Sequence, residues 1–203
     1  PLDKERKLPP AIEKNLLARY DLDGPLWKQY VDYIADVARG DLRLSTKYRN
    51  RSVNEILAQT LPVSLGLGSA AFLISLAVGI ALGCAAAVRH RTWMDQTAML
   101  LAVLSISIPS FVIAPLAILY FALKWQLFPV AGLDGLSHVV LPAICLALPF
   151  AAYIARLMRA SMLEVLNQDF IRTARAKGLG EARIVFKHAL KVAVLPIVSF
   201  SGP

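Results

Sequence analysis

The sequence predicts an all-α protein that crosses a membrane several times, and three observations carry that prediction. Apolar residues fill 57 % of the 203 positions, with a positive mean hydropathy, which is high for a water-soluble chain. Uncharged runs occupy 63–88 (26 residues) and 96–123 (28 residues), with shorter ones at 139–155 and 192–203. A helix rising about 1.5 Å per residue needs only about 20 residues to cross the roughly 30 Å hydrocarbon core. The basic residues are also localised: 61–203 holds 11 Lys/Arg against 5 Asp/Glu, and eight of those 11 lie between Arg156 and Lys191. The net charge of +8 is thus a local excess that orients loops on one side of a bilayer, and no nucleic-acid partner is expected.

Taken in order, residues 1–60 read as a water-facing helical region and 61–203 as the membrane domain. Ile12, Leu16, Leu17 and Tyr20 follow Pro9-Pro10 at helical spacing and predict a helix over 11–20, with a break at Asp21–Gly24. Pro25 opens a second helix with Leu26, Tyr30, Val31, Ile34, Val37 and Ala38 on one face, and Gly40 stops it. The chain starts at Pro1 without a signal peptide, and the final run of 12 residues is half a span. The chain is therefore expected to be a fragment, lacking a first helix and the C-terminal helices.

The run 63–88 is the first span. Its Gly79 and Gly83 form a small-xxx-small pair that would let a second helix approach closely. The run 96–123 carries Pro109 and Pro115, so a bent helix is expected, with Ser105, Ser107 and Ser110 able to re-satisfy carbonyls freed by Pro109. Ser105, Ser107, Pro109 and Ser110 are the candidate lining of a translocation pathway; a merely kinked packing helix is the alternative. The run 139–155 holds Pro142 and Pro149 and is short for a span, with ends extending into the interface.

The charge bias places Arg89, Arg91 and the segment 156–191 in the cytoplasm, and 1–60 and 124–138 outside. Within 156–191, Leu163, Leu166, Phe170 and Ala174 share one face of a helix expected over 161–177. Gly178 then permits a sharp turn, and Ile184, Val185, His188, Ala189 and Val192 begin a second helix that re-enters at Leu195-Pro196. The result is a compact knob suited to a groove on a soluble partner.

The remaining polar residues have ordinary readings. His90, His138 and His188 sit near span ends or in loops and are read as solvated. Asp95 is read as balancing Arg89 and Arg91, and Glu164 and Asp169 as pairing with Arg159, Arg172 or Lys177. Cys84 and Cys145 lie in apolar runs as small hydrophobes. No catalytic constellation, metal-ligand cluster or cofactor motif stands out, which disfavours a membrane-embedded enzyme. The uncharged runs hold no ionisable group of the kind that marks an ion route, which disfavours a secondary transporter or channel.

The segments Ser161-Met-Leu-Glu-Val-Leu, Phe170-Ile-Arg-Thr-Ala-Arg-Ala-Lys-Gly-Leu, Lys187-His-Ala-Leu-Lys and Leu195-Pro196 closely resemble the cytoplasmic loop of permease subunits in the peptide/nickel branch of ABC importers. Across 8–203 the order of Leu8-Pro-Pro, Gln29-Tyr, Gly40-Asp-Leu, Pro62-Val-Ser and Ile108-Pro-Ser-Phe is similar to the B-type subunits of oligopeptide permeases. The wider family's Glu-Ala-Ala-xxx-Gly pattern falls on Arg172, Thr173, Ala174 and Gly178; Arg replaces the Glu, so salt bridges of sugar permeases do not carry over.

The resemblance implies a type I ABC importer-like transmembrane domain in a bacterial inner membrane, without catalysis of its own. It also implies the partners: a second homologous permease subunit, two cytoplasmic ATPase subunits and an extracytoplasmic peptide-binding protein. ATP-driven motion would enter through a coupling loop made of Arg172, Thr173, Ala174, Arg175, Lys177, Gly178, Leu179, Glu181, Arg183 and Phe186, with contact around Gly178–Phe186. Oligopeptides are the expected substrate, and dipeptides, nickel or glutathione the alternatives within the family.

Overall fold

A computed structural model describes residues 24–48, 50–132 and 135–202, together with Leu17. The helix expected over 11–20 and the break after it therefore lie, apart from Leu17 and Gly24, outside the described residues. Among these residues all regular structure is helical except a single antiparallel bridge, Leu44 to Ser52. The chain divides into two compact units, Pro1–Ser64 and Leu65–Pro203, and the division falls inside one long helix.

In the first unit, α1 (Leu26–Ala38) starts after Pro25, whose fixed φ of −62° suits the position and whose carbonyl accepts from the amides of Lys28 and Gln29 at 2.9 and 3.1 Å. It ends where Gly40 adopts φ +82°. Arg43 then reaches back to Asp36 at 2.7 Å, and the side chain of Asn54 binds the carbonyl of Gly40 and the amide of Leu42. These bonds pin the end of α1 to the start of α2.

Helix α2 (Val53–Val88) begins ten residues before the apolar run that predicts it. Its start is a capping box: Ser52 Oγ accepts from the Glu55 amide at 3.1 Å, and Glu55 Oε2 accepts from the Ser52 amide at 3.2 Å. Ser52-Val-Asn-Glu55 was the available sequence signal, and apolar periodicity does not register it. Ser52→Ala should weaken this first turn by about 1 kcal/mol, read as roughly fivefold faster hydrogen exchange at the amides of Val53 to Glu55.

In the second unit the expected bent helix is a broken one. α3 (Trp93–Ser107) and α4 (Ser110–Lys124) meet at an angle of 103°. Proline pushes the preceding residue out of the helical region, and Ile108 and Pro109 are both extended, with ψ of 119° and 142°. The chain leaves the helix at Pro109 instead of patching a kink with serine hydroxyls. Ser107 Oγ bonds the Val103 carbonyl at 2.8 Å, inside α3.

The short third span is the middle of a 31-residue helix, α5 (Leu136–Leu166), which runs through Pro142 and Pro149 and beyond Arg156 and Arg159. It is the axis of the unit: Ala143, Ala147, Ile154, Met158 and Met162 are all buried, and α3 packs along it. The small-xxx-small expectation holds. A Cβ on Gly79 would lie 2.7 Å from Ile154 Cβ and 2.9 Å from Ala151 O; one on Gly83 would lie 2.5 Å from Ala155 O and 2.6 Å from Met158 Cβ. α2 and α5 thus approach backbone to side chain at two glycines one turn apart.

The helix expected over 161–177 is two helices. α5 ends at Leu166, and α6 (Asp169–Ala176) starts after a turn at Asn167-Gln168. The last helix, α7 (Glu181–Ser201), contains a wide turn at Ile184–Ala189 and is apolar over enough length to cross a membrane.

Candidate functional site

The knob formed by α6, the turn at Gly178 and the start of α7 is held by its inner face. Ile171, Ala174, Ile184, Val185 and Ala189 are buried in one cluster with Met158, Met162 and Val165 of α5. Ala174 points inward as expected, and Leu163 and Leu166 are half-buried against the cluster, but Ile171 is buried and Phe170 exposed because the break at Asn167-Gln168 resets the helical phase.

Gly178 has φ +76°, with its amide on the Arg175 carbonyl at 2.9 Å and the next amide, of Leu179, on the Ala174 carbonyl at 3.3 Å. That pair of bonds is a Schellman closure, which needs a left-handed residue at this position. A Cβ here would meet nothing within 4 Å, so the glycine serves conformation rather than space. Arg175 clasps Glu181 across the turn through two bonds, Nε to Oε1 at 2.7 Å and Nη2 to Oε2 at 3.2 Å.

The residues of the expected loop therefore sort into three groups. Ala174 and Leu179 face the core, and Arg175 and Glu181 brace the turn. Arg172, Lys177 and Arg183 face outward, Phe186 is exposed along an apolar groove that Cys84 and Val88 of α2 also line, and Thr173 donates its hydroxyl to the Asp169 carbonyl at 2.9 Å. Phe186 is 68 % exposed, a large aromatic ring standing on a well-packed base.

Beneath the knob the sequence missed a charge site. Asp95, in the first turn of α3, is 3 % exposed and pairs with Arg159 of α5 through Oδ1 to Nε at 2.5 Å and Oδ2 to Nη2 at 2.7 Å. The Arg91 amide and His90 Nδ1 approach the same carboxylate at 3.0 and 3.2 Å. Asp95 thus does not balance the side chains of Arg89 and Arg91, and Arg159 is taken by Asp95; Asp169 meets Arg172 at 3.4 Å on the surface, one of the expected pairings. The partners are 64 residues apart, so no local pattern joins them.

Of the four expected pathway residues, Ser110 lines a cavity of about 340 Å³ with Ala114, His138, Leu141 and Cys145. Ser105 is half-buried, and Ser107 and Pro109 are exposed at the break. His138, read as solvated, has its Nδ1 buried against this cavity without a hydrogen-bond partner among the described residues. Cys145 is buried and Cys84 half-buried, in keeping with small hydrophobes.

Among the described residues, three helices long and apolar enough to cross a membrane, a broken fourth and a basic knob make up the architecture of a polytopic helical membrane protein. Residues 79–202 match the family described as binding-protein-dependent transport system inner membrane component. The chain is 45 % identical, over its whole length, to the oligopeptide transport system permease protein OppB of Salmonella typhimurium, covering 67 % of that relative. It is 41 % identical to OppB of Haemophilus influenzae, covering 67 %, and 46 % identical to the dipeptide transport system permease protein DppB of Bacillus subtilis, covering 66 %. The chain belongs to this family of ABC transporter permeases and spans about two thirds of the length of these relatives.

Proposed function

We propose that the chain is the membrane-spanning subunit of an ATP-driven peptide importer and that the knob at Arg172–Phe186 receives the motion of a cytoplasmic ATPase. The carrying observation is Phe186, exposed on a base whose other face is locked to α5, so that force on the ring is delivered to a membrane helix. Relatives that act on oligopeptides and dipeptides support peptides as the substrate class, with oligopeptides favoured by the OppB relatives. The basic loops support a cytoplasmic knob and an extracytoplasmic 1–60 in a bacterial inner membrane. On this reading a second permease subunit, two ATPases and a peptide-binding protein complete the machine, with ATP hydrolysed by the partners. The break at Pro109, with Ser110 on its cavity, is the proposed contact with the translocation pathway.

The decisive experiment measures ATPase association and ATP-driven peptide uptake in reconstituted complexes. Phe186→Ala should weaken association about tenfold, the loss typical of an exposed aromatic anchor, while leaving the fold intact. Unchanged association and unchanged uptake would remove the knob from the coupling path. Gly178→Ala should cost roughly 1–2 kcal/mol of backbone strain at the turn and lower uptake through a displaced knob.

A further inference from the structure

Among the described residues nothing buries the apolar face of α1, and its chemistry identifies what covers it. At about 100° per residue, Leu26, Trp27, Tyr30, Val31, Ile34 and Val37 fall within an arc of roughly 140°, which Tyr33 widens to roughly 160°, and Lys28, Gln29, Asp32 and Asp36 occupy the opposite side. Leu26 is 82 % exposed, Trp27 70 % and Tyr30 68 %, and no residue of the helix is buried. A contiguous apolar arc of this size is a docking surface rather than a water-facing one.

We infer that α1 lies in the headgroup interface of the bilayer, with its apolar arc in the acyl boundary. Two observations select lipid over a protein groove. Trp and Tyr, whose rings are apolar with a polar tip, are the side chains that concentrate at the membrane–water boundary, and three of the seven arc residues are of these types. The helix is also held where that boundary lies. Asn54 pins the end of α1 to the first turn of α2, and α2 carries no charged residue from Ile56 to Val88, 33 residues or about 50 Å of helix. That length fills a bilayer of about 40–45 Å including its headgroups, so the start of α2 stands at headgroup level.

The polar face sets Asp32 and Asp36 against Lys28 and Arg39, with Asp36 also paired to Arg43, so its charges nearly balance. Attachment is therefore driven by apolar burial and aromatic anchoring, without attraction to anionic lipid. The inference goes beyond the transport reading and is independent of ATPases and substrate.

The test uses the full chain reconstituted in phosphatidylcholine vesicles, with Trp93→Phe and Trp125→Phe so that Trp27 is the sole tryptophan. Trp27 should lose most of its emission to lipids brominated near the headgroup and be shielded from aqueous iodide. In a second variant, Trp27→Phe with Lys28→Trp in the same background, the new indole should be open to iodide and little affected by brominated lipid. Adding anionic phosphatidylglycerol should leave both patterns unchanged. Iodide-accessible Trp27 that brominated lipid does not quench overturns the inference, as does shielding that develops only when an extracytoplasmic binding protein is added, which would assign the face to that protein. A strong gain with anionic lipid would overturn the burial-driven mode.

Discussion

Gly83→Leu is expected to abolish the folded protein or lower its stability by about 3 kcal/mol or more, whereas Gly66→Leu and Gly68→Leu on the same helix should be near neutral. At Gly83 even a Cβ would lie 2.5 Å from a backbone oxygen and 2.6 Å from Met158 Cβ, so two helix axes must separate. Separation along α2 and α5 opens the contact over several turns, which is why the cost exceeds the roughly 1–3 kcal/mol typical of overpacking. At Gly66 and Gly68 a Cβ meets nothing within 4 Å. Thermal unfolding in detergent, followed by the monodisperse fraction on size exclusion, separates these outcomes. Equal loss at Gly66 and Gly83 would show that helix propensity or insertion, and not close packing, governs α2.

Asp95→Asn or Arg159→Met alone is expected to destabilise by roughly 3 kcal/mol or more, and the double variant by clearly less than the sum. Removing one partner leaves the other charge desolvated without compensation, and for buried pairs that costs about 3–5 kcal/mol, whereas removing both leaves no stranded charge. Asp95 is 3 % exposed and Arg159 retains a quarter of its side-chain exposure, so the aspartate side carries most of the penalty. The carboxylate is further favoured by its place in the first turn of α3, where the helix dipole is positive. A double-mutant cycle in thermal unfolding checks this; strictly additive losses would mean that the two charges do not support one another. Because the pair joins α3 to the helix that carries the knob, a weakened pair should also reduce the coupling of ATP use to uptake on the proposed reading.

The sequence by itself determined the features whose cause is local. An uncharged run of 26 residues is long enough to cross the hydrocarbon core, so the first span was legible from length and composition alone. Gly178 was legible as a turn because a helix followed by a left-handed residue calls for glycine, and Gly40 for the same reason. Gly79 and Gly83 were legible as a packing pair from their one-turn spacing on an apolar helix. The knob followed from these signals together with the resemblance of its loop to a known branch of permeases.

Tertiary structure decided what depends on distant partners. Arg156 and Arg159 read as the end of a span, yet α5 continues past them to Leu166, where Met158, Met162 and Val165 are buried against the knob. Pro109 by itself predicts a bend within a single helix, whereas the chain breaks there and turns through 103°. The inward face of the knob depended on where α5 stopped, since a two-residue turn at Asn167-Gln168 shifts the phase of every later helical position. Periodicity and charge are read along the chain, but the free energy of a charge, a proline or a helix face inside a bundle is set by what lies across from it.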